Sequence, residues 1–141
     1  MQDTIQPTRG ELEGTLSQEI RSFYHTQLGH QPSQVTCQFM GDKIAIIIEN
    51  SITQPEQLLA QRGQQKLAEQ VRSNINHALQ LQLKQLIEEV VKVPVIDLMI
   101  DSTLKTSRTS TVAVLAATPN TRNPSSISPQ PETDSTSGCA G

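Results

Sequence analysis

The residues best suited to chemistry lie in one polar run, Asp101-Ser102-Thr103-Leu104-Lys105-Thr106-Ser107-Arg108. Hydroxyls, backbone N–H groups and two cations crowded on a loop can hold an anion such as phosphate, carboxylate or bicarbonate. The same side chains equally suit a solvated hairpin tip, in which Asp101 and the Ser and Thr hydroxyls bond to their own turn. The candidate ligand contacts are therefore Asp101, Ser102, Thr103, Lys105, Thr106 and Arg108. Arg72 joins them, a cation set beside Val71 in the apolar stripe of a long helix. Its options are a pair with Glu69 or Glu56, or a place in a pocket.

Other chemistries find little to work with. His25, His30 and His77 never fall four apart, and no Cys-x-x-Cys or His-Glu-x-x-His spacing exists, so no metal is expected. There is no Gly-x-Ser-x-Gly, no Gly-x-x-x-x-Gly-Lys loop and no Gly-x-Gly-x-x-Gly turn. Cys37 shares a strand face with Val35 and Phe39, which makes it a small core residue and a poor nucleophile. Glu88 and Glu89 are adjacent on a helix and diverge by about 100°, so they cannot face one substrate as a pair. No nucleophile, base or cofactor motif assembles, and the expectation is a protein without catalytic residues or cofactor.

Composition narrows the partners. A formal charge of −3 gives no basic footprint for nucleic acid, and Phe23, Tyr24 and Phe39 are too few to stack bases. No nucleic-acid partner is expected. The cysteines, Cys37 and Cys139, make no disulfide framework, and with no signal peptide they suit a reducing cytoplasm. The longest unbroken apolar run, Ile44 to Ile48, falls far short of the ~20 residues that a membrane span needs.

Two similar sets of elements must position the polar run. A first helix runs from Gly10 through Leu12, Leu16, Ile20 and Phe23 to Leu28, with Gly29 as its stop. The strands Gln34 to Met40 and Lys43 to Asn50 flank Gly41-Asp42 as a hairpin, the second apolar on both faces and so central. Thr53 and Glu56 fit a capping box for a short helix, with Pro55 in its first turn. The longest helix spans Gln64 to Val90, roughly 40 Å, with a stripe of Leu67, Val71, Ile75, Ala78, Leu79, Leu83, Leu86, Ile87 and Val90. Leu67 and Val90 lie roughly 140° apart on an ideal wheel, so the two ends serve different surfaces. Leu81 and Leu83, on opposite flanks, are where a homodimer contact would fall. Pro94 then sets the start of a strand or places it at an edge. Asp101 to Ser110 forms a loop, and Thr111 to Ala117 returns as its partner strand.

Two αββ units of this kind predict an α+β fold. Its four-stranded, mainly antiparallel sheet carries the helices on one face, as in a ferredoxin-like sandwich with its first strand moved to the end. Residues 10–118 form that domain, 1–9 are a flexible start, and the Pro-, Ser- and Thr-rich 119–141 are a disordered tail.

The runs Gly29-His30-Gln31-Pro32-Ser33-Gln34-Val35, Gly41-Asp42-Lys43-Ile44, Ile52-Thr53-Gln54-Pro55-Glu56-Gln57-Leu58-Leu59 and Asp101-Ser102-Thr103-Leu104-Lys105-Thr106, with Arg72 in the long helix, resemble the small bacterial MpsC-like domain over roughly Gly10 to Thr118. That family is named for a Na⁺-translocating, membrane-potential-generating system. The resemblance implies a soluble accessory or regulatory component, peripheral to the cytoplasmic face of a membrane ion or bicarbonate transporter. An anion- or small-molecule-binding regulator and a homodimeric structural module are the competing readings.

Overall fold

The structure is a computed structural model that describes residues 6–122. Residues 1–5 and 123–141, and with them most of the expected flexible start and tail, lie outside the described residues. Helix α1 (Arg9–Leu28) begins one residue before Gly10 because Thr8 caps it. The Glu11 N–H donates to the Thr8 hydroxyl at 3.0 Å and the Thr8 N–H to the Glu11 carboxylate at 2.9 Å, satisfying two orphan donors reciprocally. Leu12, Leu16, Ile20 and Tyr24 form its buried stripe. Four-residue spacing thus selects Tyr24, not the expected Phe23, which stands edge-on against it with ring centroids 5.9 Å apart. Gly29 stops the helix in the left-handed region at φ 66°.

Strands β1 (Gln34–Met40) and β2 (Lys43–Glu49) make the expected hairpin. Gly41 takes φ 64° while Asp42 stays at negative φ, which fits a type II′ turn and explains why glycine comes first. Helix α2 (Gln54–Gln61) and helix α3 (Gln65–Val91) follow, then β3 (Val95–Thr103) and β4 (Arg108–Leu115). β3 starts directly after Pro94 and lies at the sheet edge, so the missing N–H breaks no ladder bond.

The strands order as β1-β2-β4-β3, every neighbouring pair antiparallel, with β2 central. That is the order of a ferredoxin-like sheet whose first strand comes last. α1 packs against β1, α3 against β3, and the two helices against each other. Between them and the sheet lies an aliphatic core that includes Leu16, Ile20, Ile44, Ile46, Ile48, Leu83, Ile87, Ala113 and Leu115.

Three expectations need correction. The loop between β3 and β4 is only Leu104 to Ser107, because strand pairing continues through Thr103 and Arg108. The stripe of α3 holds from Leu79 onward, but its first half buries Ala68, Arg72 and Asn76 instead. Leu67 is exposed there, and Val71 and Ile75 are half-buried. Leu83 is fully enclosed in the core and cannot meet a second copy, whereas Leu81 is exposed. At its far end, α3 is joined to β3 by Glu88, whose carboxylate accepts the Val95 N–H at 2.8 Å.

Cys37 sits in the core on the inner face of β1, and burial pushes its thiol up to about 11. In a Cys139→Ser chain, Cys37 should therefore resist a thiol reagent until the protein unfolds. Because its folded pKa lies above the ordinary 9.0, the stability it contributes should fall as pH rises from 9.0 to about 11. Urea titrations across that range, compared with Cys37→Ala, check the sign.

Candidate functional site

Arg72 is buried within the first half of α3, and the charge of Glu56 on α2 meets it there. Its Nε and Nη2 donate to the two Glu56 carboxylate oxygens, both at 2.7 Å, in a bidentate pair with 3 % and 1 % of the side chains exposed. Glu56 is placed by its own helix start, where it accepts the Thr53 N–H at 3.2 Å and the Thr53 hydroxyl at 2.7 Å. Arg72 Nη2 also donates to the Ser51 carbonyl at 3.0 Å, and Nη1 lies 3.4 Å from Asn76 Oδ1, a long contact. The guanidinium is thus held in one plane by contacts to Glu56, Ser51 and Asn76.

From Asn76 the polar contacts continue across the sheet. Its Nδ2 donates to Ser102 Oγ at 3.1 Å on β3. Ser102 and Thr109 share a hydroxyl bond of 2.7 Å, as do Thr109 and Ser51. Ser51 lies between β2 and α2, so the series returns to the carbonyl that Arg72 holds. Ser107, in the hairpin tip, completes the join. Its carbonyl accepts the Ser51 N–H at 2.9 Å and its hydroxyl accepts the Ile52 N–H at 3.2 Å, which fixes Ser107 at φ 60° despite its side chain.

A groove of about 610 Å³ opens over this network between α3 and the edge strand β3. Arg72, Asp101, Ser102, Thr103 and Lys105 all line it, so five of the seven candidate residues come together. Thr106 lines a neighbouring recess with Gln57 and Gln61. Arg108 goes elsewhere, pairing with Glu49 of β2 at 2.8 Å. α3 supplies Glu69, Ser73, Asn76 and His77 to the same groove. The reading of the sequence missed Asn76, Ser51 and Thr109. The signal for Asn76 was present: Ala68, Arg72 and Asn76 repeat every four residues and form one helix face.

The electrostatics differ from those of an open cationic loop. Glu56 answers the charge of Arg72 and Glu49 that of Arg108. Lys105 shares the groove with Glu69 and Asp101, whose carboxylate turns back to its neighbour's Ser102 N–H at 2.9 Å. Such a lining suits a polar or charge-balanced group better than a bare anion. The hydroxyls bond to one another and to Asn76, so no base polarises any of them. Among the described residues no group of three or more His, Cys, Asp or Glu is placed to hold a metal ion.

The family model described as "Na+-translocating membrane potential-generating system (MpsC)" matches residues 8–117. The chain belongs to the MpsC family. No curated protein and no solved structure gives a match. The matched span runs from the Thr8 cap of α1 to just past β4, so the MpsC domain contains both the groove and the network beneath it.

Removing one partner of the Glu56–Arg72 pair strands a buried charge, a loss of about 3–5 kcal/mol. Arg72→Met should therefore lower unfolding stability by that amount, and adding Glu56→Gln to it should recover part of the loss. Urea unfolding of the two singles and the double checks this. Additive losses would show that the two groups act separately.

Proposed function

We propose that this MpsC chain is a non-catalytic accessory or regulatory component of a membrane-potential-generating system. In this reading it works from the cytoplasmic side and docks through the α3–β3 groove on a membrane ion or bicarbonate transporter. The family description names such a system. Among the described residues no helix is long and apolar enough to cross a membrane, so the ion pathway falls to the partner in this reading. The observation that carries the proposal is the groove itself. Its floor is fixed before any partner arrives by the Glu56–Arg72 pair and the hydroxyl series from Asn76 to Ser51. A prebuilt recess loses less ordering entropy when it is filled.

The test is co-purification of the tagged chain with an ion or bicarbonate transporter from membranes. Exchanging the two opposed groove charges, Glu69→Lys with Lys105→Glu, should abolish it while the melting temperature stays within a few degrees. Normal association of the exchanged variant would sink the groove as the docking site.

Cavity size favours one further reading, a regulator that takes a small polar ligand, since about 610 Å³ falls in the range of small-molecule sites. Screening bicarbonate, phosphate, nucleotides and zwitterionic amino acids by thermal shift addresses it. A ligand that raises the melting temperature of the native chain, but not of Lys105→Ala, supports this reading. No movement with any of them leaves the docking proposal standing alone.

A further inference from the structure

The sheet has a second face, which no described element covers. Across it the strand register lays out a grid of four rows. Gln34, Glu49, Arg108 and Thr103 form the first row, and Thr36, Ile47, Ser110 and Asp101 the second. Gln38, Ala45, Val112 and Met99 form the third, and Met40, Lys43, Val114 and Asp97 the last. None of these side chains is buried. Ile47 is 38 % exposed, Met99 50 % and Met40 51 %, and with Ala45, Val112 and Val114 they make one contiguous apolar field. A monomer rarely leaves such a field in water without a use for it.

We propose that this face joins two copies of the chain, sheet against sheet, in a symmetric dimer. Three observations select a second copy as the occupant. The first is charge. A two-fold axis along the strands sets Glu49 over Arg108 of the other copy, and one across the strands sets it over Lys43. Neither axis brings like charges face to face, which is the self-complementarity that an isologous contact requires. The second is area. Four strands about 4.8 Å apart and four rows about 6.8 Å apart give roughly 500 Å² per copy. Two such faces come to roughly 1,000 Å², the lower bound of a specific interface.

The third is the rim, where Glu49, Asp97 and Asp101 outnumber Lys43 and Arg108. An anionic membrane surface would meet net repulsion there. The flank of α3 around Leu81 lies on the helical side, so the proposed dimer differs from one made through that helix. It shares Asp101 and Thr103 with the groove lining but leaves Glu69 and Lys105 outside the contact, so it is argued and tested independently of the docking proposal.

Sedimentation velocity with light scattering on the full chain, from about 1 to 100 µM, reads the equilibrium. A dimer fraction rising through that range is expected. Ile47→Glu puts a charge at the centre of the field and should weaken association at least tenfold with little change in melting temperature. Met99→Glu, on the edge strand, should do the same and replaces Ile47→Glu if that variant folds poorly. Leu81→Glu should leave the dimer intact. A chain monomeric at every concentration overturns the proposal, and so does a dimer that Leu81→Glu dissociates and the sheet-face variants do not.

Discussion

The rest of the molecule depends on a buried ion pair between two helices that adjoin in sequence. Two charges out of water are costly, and apolar residues of similar volume often serve stability as well or better. What the Glu56–Arg72 pair adds is position. Its fork geometry fixes the plane of the guanidinium, and that plane fixes the corner between α2 and α3. The same guanidinium holds the Ser51 carbonyl, so the exit of β2 is set by the side chain that sets the helices. Through Ser51 and Asn76 the constraint reaches β4, β3 and the hairpin tip. A partly satisfied network of this kind would be worse than an apolar core, because each unpartnered group would carry its full desolvation cost. Within the described part of it, every buried side-chain polar atom has a partner. The buried exception is the Thr111 hydroxyl, which lies on the inner face of β4 outside the network.

α3 therefore divides the molecule between two kinds of interior. From Leu79 onward it contributes to an aliphatic core with α1 and the sheet. Before that point it contributes Ala68, Arg72 and Asn76, and there the layer between helix and sheet is polar. The two αββ units differ at the same place. The first hairpin closes on two residues and reaches only its neighbour strand, the Asp42 carbonyl accepting the Leu115 N–H of β4 at 2.8 Å. The second carries a four-residue tip whose Ser107 reaches back to Ser51 and Ile52. Left-handed backbone costs a non-glycine residue about 1–2 kcal/mol, and the two bonds to the β2–α2 turn offset it. The groove exists because the polar half of α3 and this reaching tip lie beside the same edge strand.

The parts of this arrangement that come from periodicity and turn chemistry could be read in the sequence. Alternation marked β1, the apolar run marked β2 as central, and the Thr53–Glu56 spacing marked the start of α2. Two αββ units in series led to the sheet order, and five of the seven polar candidates do share one groove. The failures have a common physical origin. Hydrophobic pattern assigns buried faces to apolar residues, so it followed Leu67, Val71 and Ala78 and passed over the face that carries Arg72 and Asn76. It also ended β3 too early, because Asp101 is a poor strand former and opens a polar Ser- and Thr-rich run that reads as a loop. Pairing with β4 outweighs that preference in the folded chain. Tertiary partners distant in sequence, such as Arg108 for Glu49, leave no local signal.

The two free surfaces differ in what they can recognise. The groove offers opposed charges, hydroxyls and part of a strand edge over a fixed floor, a lining that discriminates by hydrogen bonding and rejects groups that leave its polar atoms unpaired. The bare sheet face offers apolar area with a rim of mixed charge, which is suited to a large flat partner and carries little chemical selectivity. β3 is common to both: Thr103 and Asp101 line the groove and also stand in the outer grid, with Asp101 at the boundary. Its side chain takes its place in the outer grid while its carboxylate caps the Ser102 N–H, leaving the Ser102 hydroxyl to the network. The two surfaces thus share an edge rather than lying apart. Influence of one on the other would run through these shared residues and the backbone of β3, which the ladder to β4 and the Gln80 amide on the Leu98 carbonyl hold in place. On the two proposals, the recess and the dimer face would therefore adjoin along one strand, with Asp101 and Thr103 standing where they meet.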